Sequence, residues 1–302
     1  MIFETVTYPP KGVTPLGVIE IVHGMCEHRH RYEKTIERFN KLGFICAIYD
    51  LRGHGDRVLT DDDLGYFSSK GYKLLLQDLD EYTMHLKREY PNLPIILIGH
   101  SMGSLISRVY LKKHSKDVDA VVLSGTPSDV FGPKFVRVLI HLCALFRGWR
   151  YRSPFISKLI FGRYNKVFSK EGIRNSWICS DMSVVDKFNK DKKCGFMFTL
   201  NGYNILMSLM MSAYNKLGWI SKNKDLPIMF ISGADDPCRV NDDYFKKSVL
   251  SLKRMGFPNT YSKLYQDMRH EVFNEPNNDE VFDDIMKFLE FKANIDTQTD
   301  YI

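Results

Sequence analysis

The residues best suited to chemistry lie in the pentapeptide Gly-His-Ser-Met-Gly at 99–103, where one serine stands between two glycines. Residues 94–98 are apolar and an amphipathic run follows, so the serine falls where a predicted strand ends and a predicted helix begins. The two glycines allow strand and helix to pack closely around a sharp turn. Such a turn strains Ser101 and exposes its hydroxyl. The pattern therefore indicates a nucleophilic serine.

A serine nucleophile needs a base, and the base needs a third group that orients it. Of nine histidines, His270 follows the last predicted strand, at a carboxyl end where open α/β sheets place their sites. The strand before it is followed by Asp235 and Asp236. The chain order serine, aspartate, histidine is one that serine hydrolases use. This reasoning leaves the choice between the two aspartates open.

An oxyanion formed at the serine would need two N–H donors. The backbone N–H of Met102, directly after the serine, is one candidate. The backbone N–H of Met25 is the other, because HGMCEH at 23–28 follows another predicted strand. Four more histidines in these turns are interpreted as structural residues that bond the loop backbone: His23, His28, His54 and His100.

Seven short β-like runs alternate with helical patterns along the chain. Several runs lack polar alternation, which is typical of strands buried on both faces of a parallel sheet. The alternation predicts an α/β sheet with right-handed crossovers. The predicted strands span residues 2–8, 16–22, 43–50, 94–99, 119–125, 227–233 and 260–266.

The alternation stops after Pro127 and resumes at Leu226. The residues between them are helical, aromatic and basic in pattern, without a good strand candidate. We therefore expect a helical cap at 128–224, inserted into a sheet domain formed by residues 1–127 and 225–302.

Composition narrows the class of protein. The chain has 302 residues, is 44% hydrophobic and carries a formal net charge of +6. Its start lacks the pattern of a secretory signal, and its six cysteines show neither a C-x-x-C pair nor zinc spacing. We therefore expect a cytoplasmic protein with reduced thiols and no metal site.

With these motifs the chain resembles the α/β-hydrolase superfamily and, more narrowly, the monoacylglycerol lipase and lysophospholipase group, which is related to the serine aminopeptidases. The matching segments are HGMCEHRHRY, YDLRGHG, GHSMG, SGADDP and MRHEVFNE, and the inserted CSDMSVVDKFNKDKKCGFMFT is similar to a segment of bacterial members. The resemblance implies an α/β-hydrolase fold, a mostly parallel sheet flanked by helices, with a helical cap and no cofactor.

The resemblance also assigns roles to residues. It implies a catalytic triad of Ser101, Asp236 and His270, because the family motif places the acid three residues after a glycine. The oxyanion positions fall on Met25 and Met102. The family usually has two strands before the one at 16–22, where this chain has one candidate. We therefore expect seven strands, with the first antiparallel edge strand missing.

The expected function is hydrolysis of carboxylic esters, above all a monoacylglycerol or lysophospholipid, through an acyl-enzyme on Ser101. A serine aminopeptidase is one alternative, with Asp181 or Asp186 to hold the substrate ammonium. A short-chain carboxylesterase or thioesterase on the same fold is another. A catalytically silent ligand-binding receptor is the alternative outside enzymes.

The insert carries an unusual charge pattern. Between Val130 and Lys170 there are nine basic residues and no Asp or Glu. These residues either lie on a cap that covers the acyl pocket, with solvated charges, or contact an anionic membrane. Because no recognised nucleic-acid module is present, we expect no nucleic-acid partner. The sequence does not indicate the oligomeric state.

Overall fold

The protein contains a seven-stranded sheet with the order β1-β3-β2-β4-β5-β6-β7. This computed structural model describes residues 4–68, 71–130, 132–220 and 223–295. The strands are β1 (Glu4–Thr7), β2 (Gly17–Val22), β3 (Phe44–Tyr49), β4 (Ile95–His100), β5 (Ala120–Ser124), β6 (Ile228–Gly233) and β7 (Thr260–Tyr265). β1 pairs with β3 in antiparallel fashion at one edge, and the other pairings are parallel. The prediction of seven strands is confirmed; residues 2 and 3 of the first predicted run lie outside the described residues.

The sheet forms because its strands are apolar on both faces. Every residue of β2, β3, β4, β5 and β6 is buried. Alternate residues point to opposite sides, so Val18 belongs to one core cluster and Ile19 to the other. The parallel strands therefore end at one shared edge, which is where the site lies.

In the described part of the chain, five helices cover the two faces of the sheet: α1 (Glu33–Lys41), α2 (Lys73–Glu89), α3 (Met102–His114), α8 (Asp242–Arg254) and α9 (Asp279–Ala293). Apolar residues of α1 and α9, including Phe39 and Phe282, share one cluster. Leu79 of α2, Leu105 of α3 and Phe245 of α8 share the other. The sheet is thus the middle layer of three.

Among the described residues between β5 and β6 there are four helices: α4 (Pro133–Arg147), α5 (Pro154–Val167), α6 (Met182–Lys190) and α7 (Leu200–Tyr214). We call residues 128–224 the insert; its exact boundaries stay a prediction. α7 is mostly buried and packs against α3 and α4. Within the four described ranges, no helix combines the length and the apolar character that crossing a bilayer requires. All six cysteines carry free thiols.

Candidate active site

Ser101 occupies the turn between β4 and α3. Its φ of 51° and ψ of −115° lie where residues with a side chain are rarely found. A Cβ on Gly103 would collide with the Val22 carbonyl oxygen, and a Cβ on Gly99 would lie 2.5 Å from the Ser107 hydroxyl. Both glycines are therefore required by close packing, and that packing keeps the serine strained.

Asp236 and His270 form a buried hydrogen-bonded pair. Asp236 Oδ2 accepts from His270 Nδ1 at 2.9 Å and from the Ser232 hydroxyl at 3.1 Å. Asp236 Oδ1 accepts from the Cys238 backbone N–H at 2.8 Å. Asp235 is exposed and lies outside this network. Of the two aspartates that spacing left open, Asp236 is therefore the one that contacts the histidine.

Asp236 and His270 each shift the pKa of the other so that its charged form is favoured, as in an ion pair. Burial lowers the pKa of His270, but the charge and hydrogen bond of Asp236, with a contact to Cys238, bring it well above its usual value. Burial raises the pKa of Asp236, but His270 and the hydrogen bonds lower it overall. Because Nδ1 bonds Asp236, Nε2 is the nitrogen free to accept a proton.

Three further residues surround the His270 ring. A Cβ on Gly125, whose φ is +56°, would lie 2.9 Å from His270 Cε1. The Trp177 ring from the insert lies 5.0 Å from the His270 ring, and the His100 ring lies 4.7 Å away. Burial and the neighbouring His270 lower the pKa of His100 to about 4. Sequence reasoning missed Gly125 and Trp177; a glycine directly after a strand was the available signal for the first.

The two candidate oxyanion donors lie beside the serine. Met25, Met102, Ser101 and His270 all line one cavity of about 180 Å³. In the part of the chain that the structure describes, neither the Met25 nor the Met102 backbone N–H has a protein acceptor. Two free N–H donors at one cavity wall can hold a negatively charged oxygen.

Hydrogen bonds fix the loop that carries Met25 at the residues before and after Met25. The Gly24 backbone N–H donates to Glu27 Oε1 at 2.5 Å. The Cys26 backbone N–H donates to His54 Nε2 at 3.2 Å. Because both neighbouring amides are bonded, only the Met25 amide between them remains available to a ligand.

Arg31 joins this loop to the loop of His270. Its guanidinium donates to Glu27 at 2.6 Å and to both oxygens of Glu271 at 2.7 and 2.6 Å. It also lies 4.7 Å from the Phe188 ring of the insert. Burial raises the pKa of Glu27, but Arg31 and neighbouring histidines bring it to about 2. Sequence reasoning missed this buried Glu–Arg–Glu group, although Glu271 is adjacent to the candidate base.

Two of the four histidines interpreted as structural behave as expected. His23 Nε2 accepts from the Leu51 backbone N–H at 2.9 Å, and His54 bonds loop backbone at both nitrogens. For the other two, the contact of the ring differs from the expected bond to loop backbone. His28 bonds Asp191 of the insert at 2.8 Å, and His100 packs against the His270 ring.

The insert supplies most of the apolar wall of the cavity. This wall includes Ile160, Phe161, Tyr164, Trp177, Leu206 and Met207. The carboxylates among the described lining residues are Glu27 and Glu271, and Arg31 binds both. Asp181 caps α6 and Asp186 pairs with Lys190, so neither reaches the cavity. An apolar chain fits this wall better than a free ammonium group.

The insert also holds the histidine loop directly. Arg269 pairs with Glu171 at 2.5 Å, and the Glu271 backbone N–H donates to the Ile178 carbonyl at 2.7 Å. These contacts flank His270 on both sides. The position of the candidate base therefore depends on the insert as well as on the sheet.

Among the side chains that the structure describes, three groups bring potential metal ligands within 4.8 Å of one another: Asp236, Cys238 and His270; His28, Asp191 and Cys194; Asp80, His114 and Asp117. In the first group the histidine and the aspartate already bond each other. A cation there would displace that proton, so the group is better suited to proton transfer.

The sheet order, with an antiparallel strand at one edge and a strained serine after the central β4, defines the class of protein: an α/β-hydrolase. The chain belongs to the Hydrolase_4 family, described as serine aminopeptidase, S33, which matches residues 14–277.

Relatives specify the type of reaction. The chain is 26% identical to a monoacylglycerol lipase of Mycolicibacterium smegmatis, over 91% of this chain and 88% of the relative. It is 24% identical to phospholipase YtpA of Bacillus subtilis, over 90% and 94%. A thermostable carboxyl esterase from Bacillus coagulans, solved with glycerol, has the same fold, with a TM-score of 0.86, 24% identity and coverage of 96% and 94%. The chain is an ester hydrolase.

Proposed function

We propose that the protein hydrolyses esters of single-chain lipids, monoacylglycerol or lysophospholipid, through an acyl-enzyme on Ser101. The observation that carries the proposal is one cavity that combines this serine, His270, an apolar wall and two amide N–H groups without an acceptor among the described residues. The names of the lipase and phospholipase relatives support a lipid substrate.

The proposed reaction assigns one step to each group. His270 Nε2 removes the Ser101 proton while Oγ attacks the ester carbonyl. The Met25 and Met102 amides stabilise the oxyanion. His270 then gives the proton to the leaving alcohol, and water releases the fatty acid by the reverse sequence. Asp236 fixes the His270 tautomer and stabilises its charged form.

An aminopeptidase on this fold is the less favoured candidate. It would need a carboxylate to bind the α-ammonium of its substrate. Glu27 and Glu271 are committed to Arg31, and the insert places no described carboxylate in the cavity. The apolar wall likewise favours a long acyl chain over a short one.

A substrate panel tests the proposal. The panel contains p-nitrophenyl esters from acetate to palmitate, monoacylglycerols, lysophospholipids and aminoacyl anilides, with Ser101→Ala as the control. We expect kcat/KM to increase with acyl length and to be negligible for the anilides. A preference for anilides or for acetate would contradict the lipid assignment. If a fluorophosphonate probe fails to label the folded protein, the alternative of a catalytically silent ligand-binding receptor would be favoured.

A further inference from the structure

The wall of the cavity at Ser101 contains a guanidinium group. Among the described lining residues, Arg174 is the one arginine or lysine. It lies between α5 and α6, on a segment separate from α5 and α7, which supply much of the apolar wall. An acyl chain has no use for a cation. Arg174 is therefore available to a different part of a ligand.

The Arg174 side chain is held in place but not neutralised. One of its guanidinium nitrogens donates to the Gly195 carbonyl oxygen at 2.7 Å. None of the described carboxylates pairs with it, and Glu171, the acidic residue nearest to it in the sequence, pairs with Arg269 instead. A guanidinium carries more N–H donors than this one bond uses. Arg174 therefore keeps both its charge and free donors for a ligand.

The hydrogen bonds of Gly195 place this guanidinium beside the Met25 loop. The Gly195 carbonyl accepts from Arg174, and the Gly195 backbone N–H donates to the Cys26 carbonyl at 2.9 Å. Gly195 itself is fixed, because its φ is +58° and an added Cβ would lie 2.9 Å from the Phe188 ring. The cation is therefore held one residue beyond the loop that carries a candidate oxyanion donor.

The other charges at the cavity show what this cation offsets. Glu27 and Glu271 line the cavity and share Arg31. Two carboxylates and one guanidinium leave a negative charge in excess. That excess opposes the entry of an anionic headgroup, and the charge of Arg174 compensates it. A neutral headgroup needs no such compensation, so Arg174 matters most for a ligand that carries negative charge.

The residue after Arg174 adds a polar acceptor to the same cavity. Asn175 lines the cavity, and its Nδ2 donates to Asn189 Oδ1 at 2.8 Å. Asn175 Oδ1 has no donor among the described residues. It can therefore accept a hydrogen bond from a hydroxyl group of a ligand, next to the cation.

We propose that Arg174 binds the phosphate of a lysophospholipid headgroup and so favours this class of substrate over monoacylglycerol. A guanidinium binds phosphate oxygens through paired N–H donors. In a lysophospholipid, one glycerol unit separates the ester from the phosphate, which suits a cation held one residue beyond the Met25 loop. The free glycerol hydroxyl suits Asn175. This inference rests on the proposed function, which leaves the two lipid classes open, and concerns the headgroup alone.

Three substrates with the same acyl chain test the inference. They are decanoylglycerol, decanoyl lysophosphatidylglycerol and decanoyl lysophosphatidylcholine, each assayed below its micelle-forming concentration. The two phospholipids share the phosphate but differ in net charge. We expect the wild-type protein to have a higher kcat/KM for both phospholipids than for decanoylglycerol. Arg174→Gln should reduce kcat/KM about 10-fold for both phospholipids, chiefly through KM, and change it less than about two-fold for decanoylglycerol.

Two further variants serve as controls. Arg163→Gln removes an exposed guanidinium of α5 that does not line the cavity, so it should change none of the three rates. Arg174→Lys keeps the charge but loses the paired donors, so it should retain part of the preference for phospholipids. Each preference is a ratio of rates from one preparation, so a loss of folded protein does not alter it.

The outcomes separate this inference from the proposed function. If a soluble short ester is hydrolysed but neither lipid class is, the proposed function fails and this inference fails with it. If both classes are hydrolysed and Arg174→Gln leaves their ratio unchanged, only the phosphate contact is overturned. A wild-type preference for decanoylglycerol would overturn the inference too. A loss confined to lysophosphatidylglycerol would show that Arg174 responds to net charge, and would overturn the contact with phosphate.

Discussion

The sheet and the insert use apolar residues in opposite ways. The sheet buries every residue of its five central parallel strands, and the candidate chemical groups lie on short loops at their ends. The insert buries α7 but leaves a full stripe of α4 exposed. Tight packing fixes a strained serine, whereas a loosely covered helix is free to meet a partner. We therefore expect the sheet to control stability and to carry the reacting groups, and the insert to hold the histidine loop and to control which substrate is reached.

The largest expected effect is the loss of catalytic turnover when Ser101 or His270, on the loops at the carboxyl ends of the strands, is replaced. Ser101→Ala and His270→Ala should each reduce kcat by about 10⁶, and the double variant by about the same factor, because the two residues act as one unit. The rate on a soluble short ester measures this, with the melting temperature as a control for folding. Losses that multiply in the double variant would show that the residues act independently.

Asp236→Asn should reduce kcat by about 10⁴, because the asparagine favours the wrong His270 tautomer. Asp235→Asn is the matched control and should have little effect, since Asp235 is exposed. A larger loss of kcat in Asp235→Asn than in Asp236→Asn would mean that Asp235 is the residue that orients His270.

Asp236→Asn should also shift the dependence of kcat/KM on pH. Catalysis needs neutral His270, and Asp236 raises the pKa of this histidine. kcat/KM should therefore increase with pH through a midpoint above about 6.5, the usual histidine value. Removing the carboxylate charge in Asp236→Asn should move the midpoint to lower pH. An unmoved midpoint would mean that another group limits the acidic side.

Variants of Arg31 test whether catalysis depends on the link between the Met25 loop, the His270 loop and the insert. Arg31→Lys keeps the charge but loses the two-point contact with Glu271, so we expect a loss of about 10²-fold in kcat with a smaller change in KM. Arg31→Gln should also destabilise the fold by about 3–5 kcal/mol, since it leaves buried carboxylates unpaired. Arg38→Gln, which removes an exposed pair with Asp279, is the control. Wild-type kcat in a well-folded Arg31→Lys protein would limit Arg31 to a structural role.

Glu20 of β2 should make the sheet pH-sensitive. Burial raises its pKa from 4.5 to about 8, although a hydrogen bond from Thr83 opposes the shift. The unfolded chain loses this proton first, so stability should fall as pH rises from about 4.5 to 8 and then level off. The slope should be about 1.4 kcal/mol per pH unit. Urea unfolding of Glu20→Gln should lack this component; an identical slope in both proteins would exclude Glu20 as its source.

The smallest effect is expected in the insert. Leu145→Ala removes an exposed side chain and should change stability by less than about 0.5 kcal/mol. Leu123→Ala makes the same change in fully buried β5 and should cost about 2–5 kcal/mol. Urea midpoints of the two variants give the comparison directly. Equal losses would mean that α4 is covered in solution.

Local patterns in the sequence were enough to predict much of the fold and part of the site. Buried strands are short apolar runs, and the turn at Ser101 requires glycines at fixed positions, so both are visible in the sequence. The choice between Asp235 and Asp236 needed side-chain directions, which spacing does not contain. The pairing of Arg31 with Glu271 joins residues 240 positions apart, and no local pattern predicts it.

The face of α4 shows the same limit. Residues 135–146 are apolar almost all round, so their pattern cannot say which side is buried. The answer depends on α7, which is distant in the chain and packs against one side of the helix. Tertiary packing therefore decided what the hydrophobic pattern left open.

The contacts between the insert and the histidine loop set a rule for building chimeric enzymes. Grafting an insert from a relative, to change substrate preference, would remove Glu171 and Ile178, which hold Arg269 and Glu271. A graft that ignores these partners would release the base and lose turnover on every substrate. The exchangeable module is therefore larger than the insert: it includes the histidine loop at 269–275, and the two must be transferred as one piece.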